Sequence, residues 1–123
     1  MGKFLKEQNF NPSKIICSTA ARTRETITLI QKEQKFNSKI EYDDELYLAE
    51  KEKIFSIISN ISESEDVFII GHNNGLSDLA SYLVEDFIDL STCDFVTIQF
   101  NIDKWDEISK GLGVVIERFH PLV

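Results

Sequence analysis

Two short segments of this 123-residue sequence carry side chains that could handle a phosphoryl group. The first is Ser18-Thr19-Ala20-Ala21-Arg22-Thr23-Arg24-Glu25-Thr26. It places hydroxyls just before a helical pattern and an arginine in that pattern's first turn. A helix N-terminus offers unpaired N–H groups and a partial positive charge. The planar guanidinium of Arg22 adds a two-pronged donor that matches phosphate. The plainer account is that Ser18 or Thr19 caps the helix and Arg22 is solvated. The second segment is Ile69-Ile70-Gly71-His72-Asn73-Asn74-Gly75-Leu76. His72 follows an apolar run and is flanked by glycines, which let backbone and ligand approach closely. An imidazole there can donate to a phosphate oxygen or exchange a proton near neutral pH. Its plainer role is a hydrogen bond to a loop carbonyl.

Positioning these segments requires a particular order of elements. Lys14-Ile15-Ile16-Cys17, after the turn signal Asn11-Pro12-Ser13, reads as a buried strand. From Ala21 to about Phe36 the pattern is helical, with Ile27 and Ile30 three apart. Lys39–Tyr42 reads as an edge strand. Ile54, Phe55, Ile58 and Ile61 mark one face of a helix over Lys51–Ile61. Asp66–Gly71 is the clearest strand, and its unbroken apolar run suits a parallel strand covered on both faces. Leu76, Leu79, Ala80 and Leu83 then mark another helix. Phe95–Phe100 and Val114–Phe119 read as two late strands, with Trp105 in the Asp-rich connection between them. This order predicts an α/β sandwich with a mostly parallel sheet. Ligands in such folds bind beyond the carboxyl ends of the strands. Those ends lie just after Cys17 and just after Ile70, so adjacent parallel strands would aim Arg22 and His72 into one crevice.

The composition fits a single globular domain over residues 1–123: 42% hydrophobic, 11% aromatic and 28% charged. Thirteen basic against 21 acidic residues leave a net charge of −8. That balance excludes a nucleic-acid footprint and opposes binding to anionic membranes. No apolar run approaches the ~20 residues that cross a bilayer. The N-terminus has no signal-peptide pattern, so a cytoplasmic location is expected. Cys17 and Cys93 read as buried free thiols. Two histidines and no CxxC or HxxxH pair give a metal site no support, and no cofactor is expected.

Ser18-x-x-x-Arg22-x-x-x-Thr26 followed by Val67-Phe68-Ile69-Ile70-Gly71-His72-Asn73 resembles the histidine phosphatase superfamily, with its phosphoglycerate mutase-like fold. The branch it most resembles is the SixA-type phosphohistidine phosphatases. Asp44-Glu45-Leu46-Tyr47, Gly75-Leu76-Ser77-Asp78-Leu79-Ala80 and Thr92-Cys93 leading into Phe95 to Trp105 add to the resemblance. Thr19 and Asn74 stand where many members have proline. The resemblance implies a three-layer α/β sandwich. It also implies that Arg22 and His72 are catalytic, and that Ser18 and Asn73 join them in binding phosphate. The implied substrate is a phosphohistidine-bearing protein or a small phosphorylated molecule, handled without metal. Glu45 and Glu50 are candidate acid/base helpers for an ester substrate, or else solvated carboxylates.

In the family, an Arg-His-Gly motif at the end of the first strand supplies the histidine that takes the phosphoryl group. This sequence contains no such motif. His120, in Phe119-His120-Pro121, lacks the surrounding glycine and turn, and reads as an exposed tail residue. Met1, Phe4 and Leu5 have the spacing of the closing turns of an amphipathic helix. The chain therefore resembles a family member that begins partway through its first helix, without the first strand. Losing a covalent nucleophile costs on the order of a millionfold in rate, so the isolated polypeptide is expected to be inactive. A non-catalytic phosphate- or phosphoprotein-binding module is the alternative. Without a first strand, Val67–Ile70 would keep an open edge. Either the late strands close that gap or the chain self-associates through it.

Overall fold

Ile15, Ile16, Cys17 and Ser18 are all buried, and they form most of β1 (Lys14–Ser18), the middle strand of a parallel sheet. A computed structural model describes residues 2–7, 10–62, 66–91 and 94–120, without the side chains of residues 3, 4 and 7. β1 pairs on one side with β2 (Ile40–Asp43), Ile15 opposite Ile40. On the other side it pairs with β3 (Val67–Ile70), Cys17 opposite Ile70. The order is β2-β1-β3, all parallel, so β1 and β3 end side by side at the same end of the sheet. Continuous burial falls on β1, the strand with a neighbour on each side. β3 instead alternates between half-buried and buried residues, as suits a strand at the sheet's edge.

These strands belong to one of two compact units, Met1–Leu48 with Glu65–His72. It also holds α1 (Gly2–Glu7) and α2 (Ala21–Glu33). α1 lies so close to α2 that a Cβ on Gly2 would come within 2.8 Å of Glu33 Cβ. Leu5 is fully buried, while Met1 and the Phe4 side chain lie outside the described residues. α2 ends at Glu33, three residues before Phe36. Gln34 turns extended at φ −135°. Phe36 leaves the helix to join Phe10 and Phe68 in an edge-to-face trio, with ring centroids 5.1–6.2 Å apart. Burial of an aromatic ring outweighs the continuation of one helical turn.

The second unit is Ala49–Ser64 with Asn73–Val123. α3 (Lys51–Ser59) packs against α4 (Gly75–Val84), with the Phe55 and Tyr82 rings 6.0 Å apart. The close pass of α4's first residue by Ala49 leaves no room for a side chain: a Cβ on Gly75 would lie 2.0 Å from the Ala49 carbonyl oxygen. Gly75 is therefore needed for this contact between backbones rather than for the approach of a ligand. Ala80, Ile88 and Leu90 form the core of the unit, with Leu76, Val84, Val96, Ile98 and Val115 packed on it. β4 (Phe95–Phe100) and β5 (Gly113–Phe119) make an antiparallel pair with an irregularity between Thr97 and Ile98. Trp105 opens a single 3-10 turn and meets Phe100 edge-on at 5.8 Å. Among the described residues β4 and β5 pair only with each other, so the late strands do not add to β3. The chain is thus mixed α/β with a mostly parallel arrangement. No helix among the described residues is long and apolar enough to cross a membrane.

Candidate functional site

Ser18 is the last residue of β1 and is fully buried. Its Oγ accepts the Ala20 N–H at 3.3 Å and stands 2.8 Å from His72 Nε2. Thr23, also buried, donates its hydroxyl to the Ser18 carbonyl at 2.8 Å and the Ala20 carbonyl at 3.0 Å. The expected cap is therefore arranged differently. Ala20 occupies the N-cap of α2 with no side-chain cap. Ser18 and Thr23 fix the turn from either side, and Ser18 uses its remaining capacity on the histidine. A hydroxyl both donates and accepts, so Ser18 can serve either tautomer of His72. Its complete burial keeps its hydroxyl out of solvent.

The two arginines of the first segment separate cleanly. Arg24 Nε donates to the Thr19 carbonyl at 2.9 Å, and its guanidinium lies 4.3 Å from the centre of the Tyr42 ring. It ties the turn to β2. Arg22 is exposed in the first turn of α2, and its guanidinium has no partner among the described residues.

His72 is half-buried two residues past the end of β3. Its ring lies 5.7 Å from that of Tyr47, at 66°. Tyr47 follows the 3-10 turn Asp44–Leu46, which the Asp43 carboxylate caps at the Glu45 N–H (2.9 Å) and the buried Leu46 anchors. Sequence reasoning passed over Tyr47 and Thr23 as site residues. Neither stands out by periodicity, and only the chain's return past His72 reveals Tyr47.

Asn73 belongs to the second unit, and its carboxamide is engaged there. It donates to the Leu90 carbonyl and accepts the Ser77 hydroxyl at 2.8 Å, bracing the start of α4. Glu45 and Glu50 are exposed, and Glu50 uses its backbone carbonyl at the N-cap of α3. His120 is exposed but paired: its Nδ1 meets Asp94 Oδ1. Burial pushes the Asp94 carboxyl up. The Ser91 N–H, the His120 hydrogen bond and the charges of His120 and Arg118 outweigh it and hold the group below its ordinary value. Cys17 is fully buried beside Ser18. Burial raises its thiol pKa, against smaller lowering effects of Thr23 and the Arg24 charge. Thr92 and Cys93 lie outside the described residues. Among the described residues no group of three or more His, Cys, Asp or Glu could hold a metal ion.

No protein-family model matches the sequence, and no curated protein matches it. Solved structures do match. A protein assigned as phosphohistidine phosphatase SixA of Agrobacterium tumefaciens superposes with a TM-score of 0.80 at 21% identity, over 98% of this chain and 75% of that one. The corresponding protein of Nakamurella multipartitia gives 0.79 at 20%, over 99% and 78%. The fold is that of the SixA phosphohistidine phosphatases. A third SixA structure, a protein histidine phosphatase complexed with tungstate, gives 0.77 at 15% identity, over 95% and 74%. In this SixA-like fold the Ser18 and His72 segments leave the sheet from neighbouring parallel strands, where ligands of α/β sheets bind.

Proposed function

We propose that the protein belongs to phosphohistidine chemistry, with Arg22 and His72 binding the oxygens of a phosphoryl group and Ser18 orienting His72. The observation that carries this reading is the 2.8 Å contact between Ser18 Oγ and His72 Nε2. It ties the two strand-end segments together, and Arg22, in the first turn of α2, has no side-chain partner among the described residues. Support also comes from the SixA-like fold and from the tungstate, a tetrahedral oxyanion, held by one of its structural neighbours. The substrate is a phosphohistidine-bearing protein or a small phosphomonoester. A titration with inorganic phosphate or tungstate, followed by NMR, tests the site. Resonances of Ser18, Arg22 and His72 should move together, and Arg22→Ala should abolish the effect. Equal affinity in wild type and variant overturns the reading.

The 123-residue sequence contains no Arg-His-Gly segment, which favours a second reading as a non-catalytic phosphoprotein-binding module. Both readings share the oxyanion site and differ in turnover. Incubating the purified chain with a phosphohistidine-bearing protein should release no phosphate above background. Turnover that survives His120→Ala and vanishes with His72→Ala would instead make His72 the attacking group.

A further inference from the structure

Tyr47 and Leu48 are 55% and 68% exposed although both are large, and the Tyr47 ring lies beside the half-buried His72. Leu48 also holds a left-handed backbone at φ 52°. Non-glycine residues rarely adopt that conformation, and it persists only where the surroundings impose it. Here the surroundings are explicit. Leu46 is buried, the Asp43 carboxylate caps the 3-10 turn, and the Tyr47 N–H donates to the Asp44 carbonyl at 3.0 Å. The chain is thus fixed up to Tyr47, and its ring is set against the His72 imidazole rather than folded into the core.

We propose that Tyr47 is the specificity-determining side chain of the His72 site, favouring phosphoryl groups carried on a flat ring over those on a short alkyl chain. The inference rests on the oxyanion reading above and deepens it. An anion held by Arg22 and His72 places the atom bonded to phosphorus near the His72 ring. A flat leaving group such as an imidazole or phenyl ring can then lie against Tyr47, which a methyl or hydroxyl group cannot do to the same extent. Aromatic rings gain by offset or edge-on contact beyond the area they bury. The segment that leads into Tyr47 is acidic, with Asp43, Asp44 and Glu45. It repels a second negative charge on the substrate, so recognition beyond the phosphoryl group depends on apolar contact.

The test compares phenylphosphonate, methylphosphonate and inorganic phosphate by calorimetry on the intact chain. Wild type should bind phenylphosphonate about three- to tenfold more tightly than methylphosphonate, the range expected of one aromatic contact. Tyr47→Ala should bring that ratio to about one, with phenylphosphonate losing more affinity than methylphosphonate. Tyr47→Phe should retain the ratio, since the ring and not the hydroxyl is used. Equal binding of the two phosphonates by wild type overturns the proposal and leaves the oxyanion site standing. A ratio that survives Tyr47→Ala overturns the assignment to Tyr47. Failure of all three anions to bind overturns the oxyanion site and this proposal with it.

Discussion

His72 Nε2 stands 2.8 Å from the Oγ of a fully buried serine, Ser18. The imidazole is therefore held by a buried group, and its Nδ1 makes no hydrogen bond among the described residues. Ser18→Ala removes that tether and also the acceptor of the Ala20 N–H. At about 0.5–1.5 kcal/mol for each of the two hydrogen bonds, a net loss of about 1–3 kcal/mol is expected. Phosphate affinity should drop about three- to tenfold, read by calorimetry, with a change in the His72 ring resonances.

Arg22 differs from Arg24 in having nothing to hold within the described structure. Arg22→Ala should shift stability by less than about 0.5 kcal/mol, as surface substitutions do, yet remove phosphate binding. Arg22→Lys should recover only part of it, because an ammonium cannot form the two parallel bonds of a guanidinium. Thermal unfolding and an anion titration on the same samples separate the two effects.

The lowered Asp94 pKa sets the direction of one acid response. A carboxyl whose folded pKa lies below its unfolded value of about 3.9 contributes stability that is complete above that value. The contribution is lost as pH falls through the folded value. Asp94→Asn should therefore cost about 1 kcal/mol at neutral pH, a modest figure for a pair with an exposed histidine. It should also flatten the loss of stability below about pH 4. Urea unfolding at a series of pH values checks both.

Burial and a raised pKa should make the Cys17 thiol inert in the folded protein. In a Cys93→Ser background, a thiol reagent should label Cys17 at least about 100-fold more slowly than it labels the unfolded chain. Rapid labelling under native conditions would mean that the Ser18 turn opens readily.

Glu85 closes α4 in a left-handed conformation at φ 55°, and its exposed side chain makes a 3.9 Å ion pair with Lys110. Glycine adopts that conformation without strain. Glu85→Gly should raise stability by about 0.5–1 kcal/mol, visible as a higher unfolding midpoint.

Much of this architecture is legible in the sequence because it depends on local pattern. The apolar runs before Ser18 and Gly71 become β1 and β3, and the spacing of Leu76, Leu79, Ala80 and Leu83 becomes α4. What stays hidden depends on partners distant in sequence. Phe36 fits the helical pattern of α2, but Phe10 and Phe68 draw it out of the helix. Strand pattern alone does not say which strands pair, so the division into a parallel trio and a separate hairpin-like pair emerges only from the fold. At the proposed site, the strand-end places of Ser18 and His72 and the first-turn place of Arg22 follow from the apolar runs and the helical pattern. The role of Tyr47 depends on a loop returning from β2, and the engagement of Asn73 depends on Leu90, seventeen residues further on.

Trp105 is the only tryptophan in the chain, and it lies in the second unit against Phe100. Its fluorescence is therefore a built-in reporter placed in that unit. Far-ultraviolet ellipticity, by contrast, reads helices and strands of both units. If the two signals melt at the same temperature, the units unfold as one cooperative body. If they separate, the order of the two transitions tells which half of the molecule loosens first.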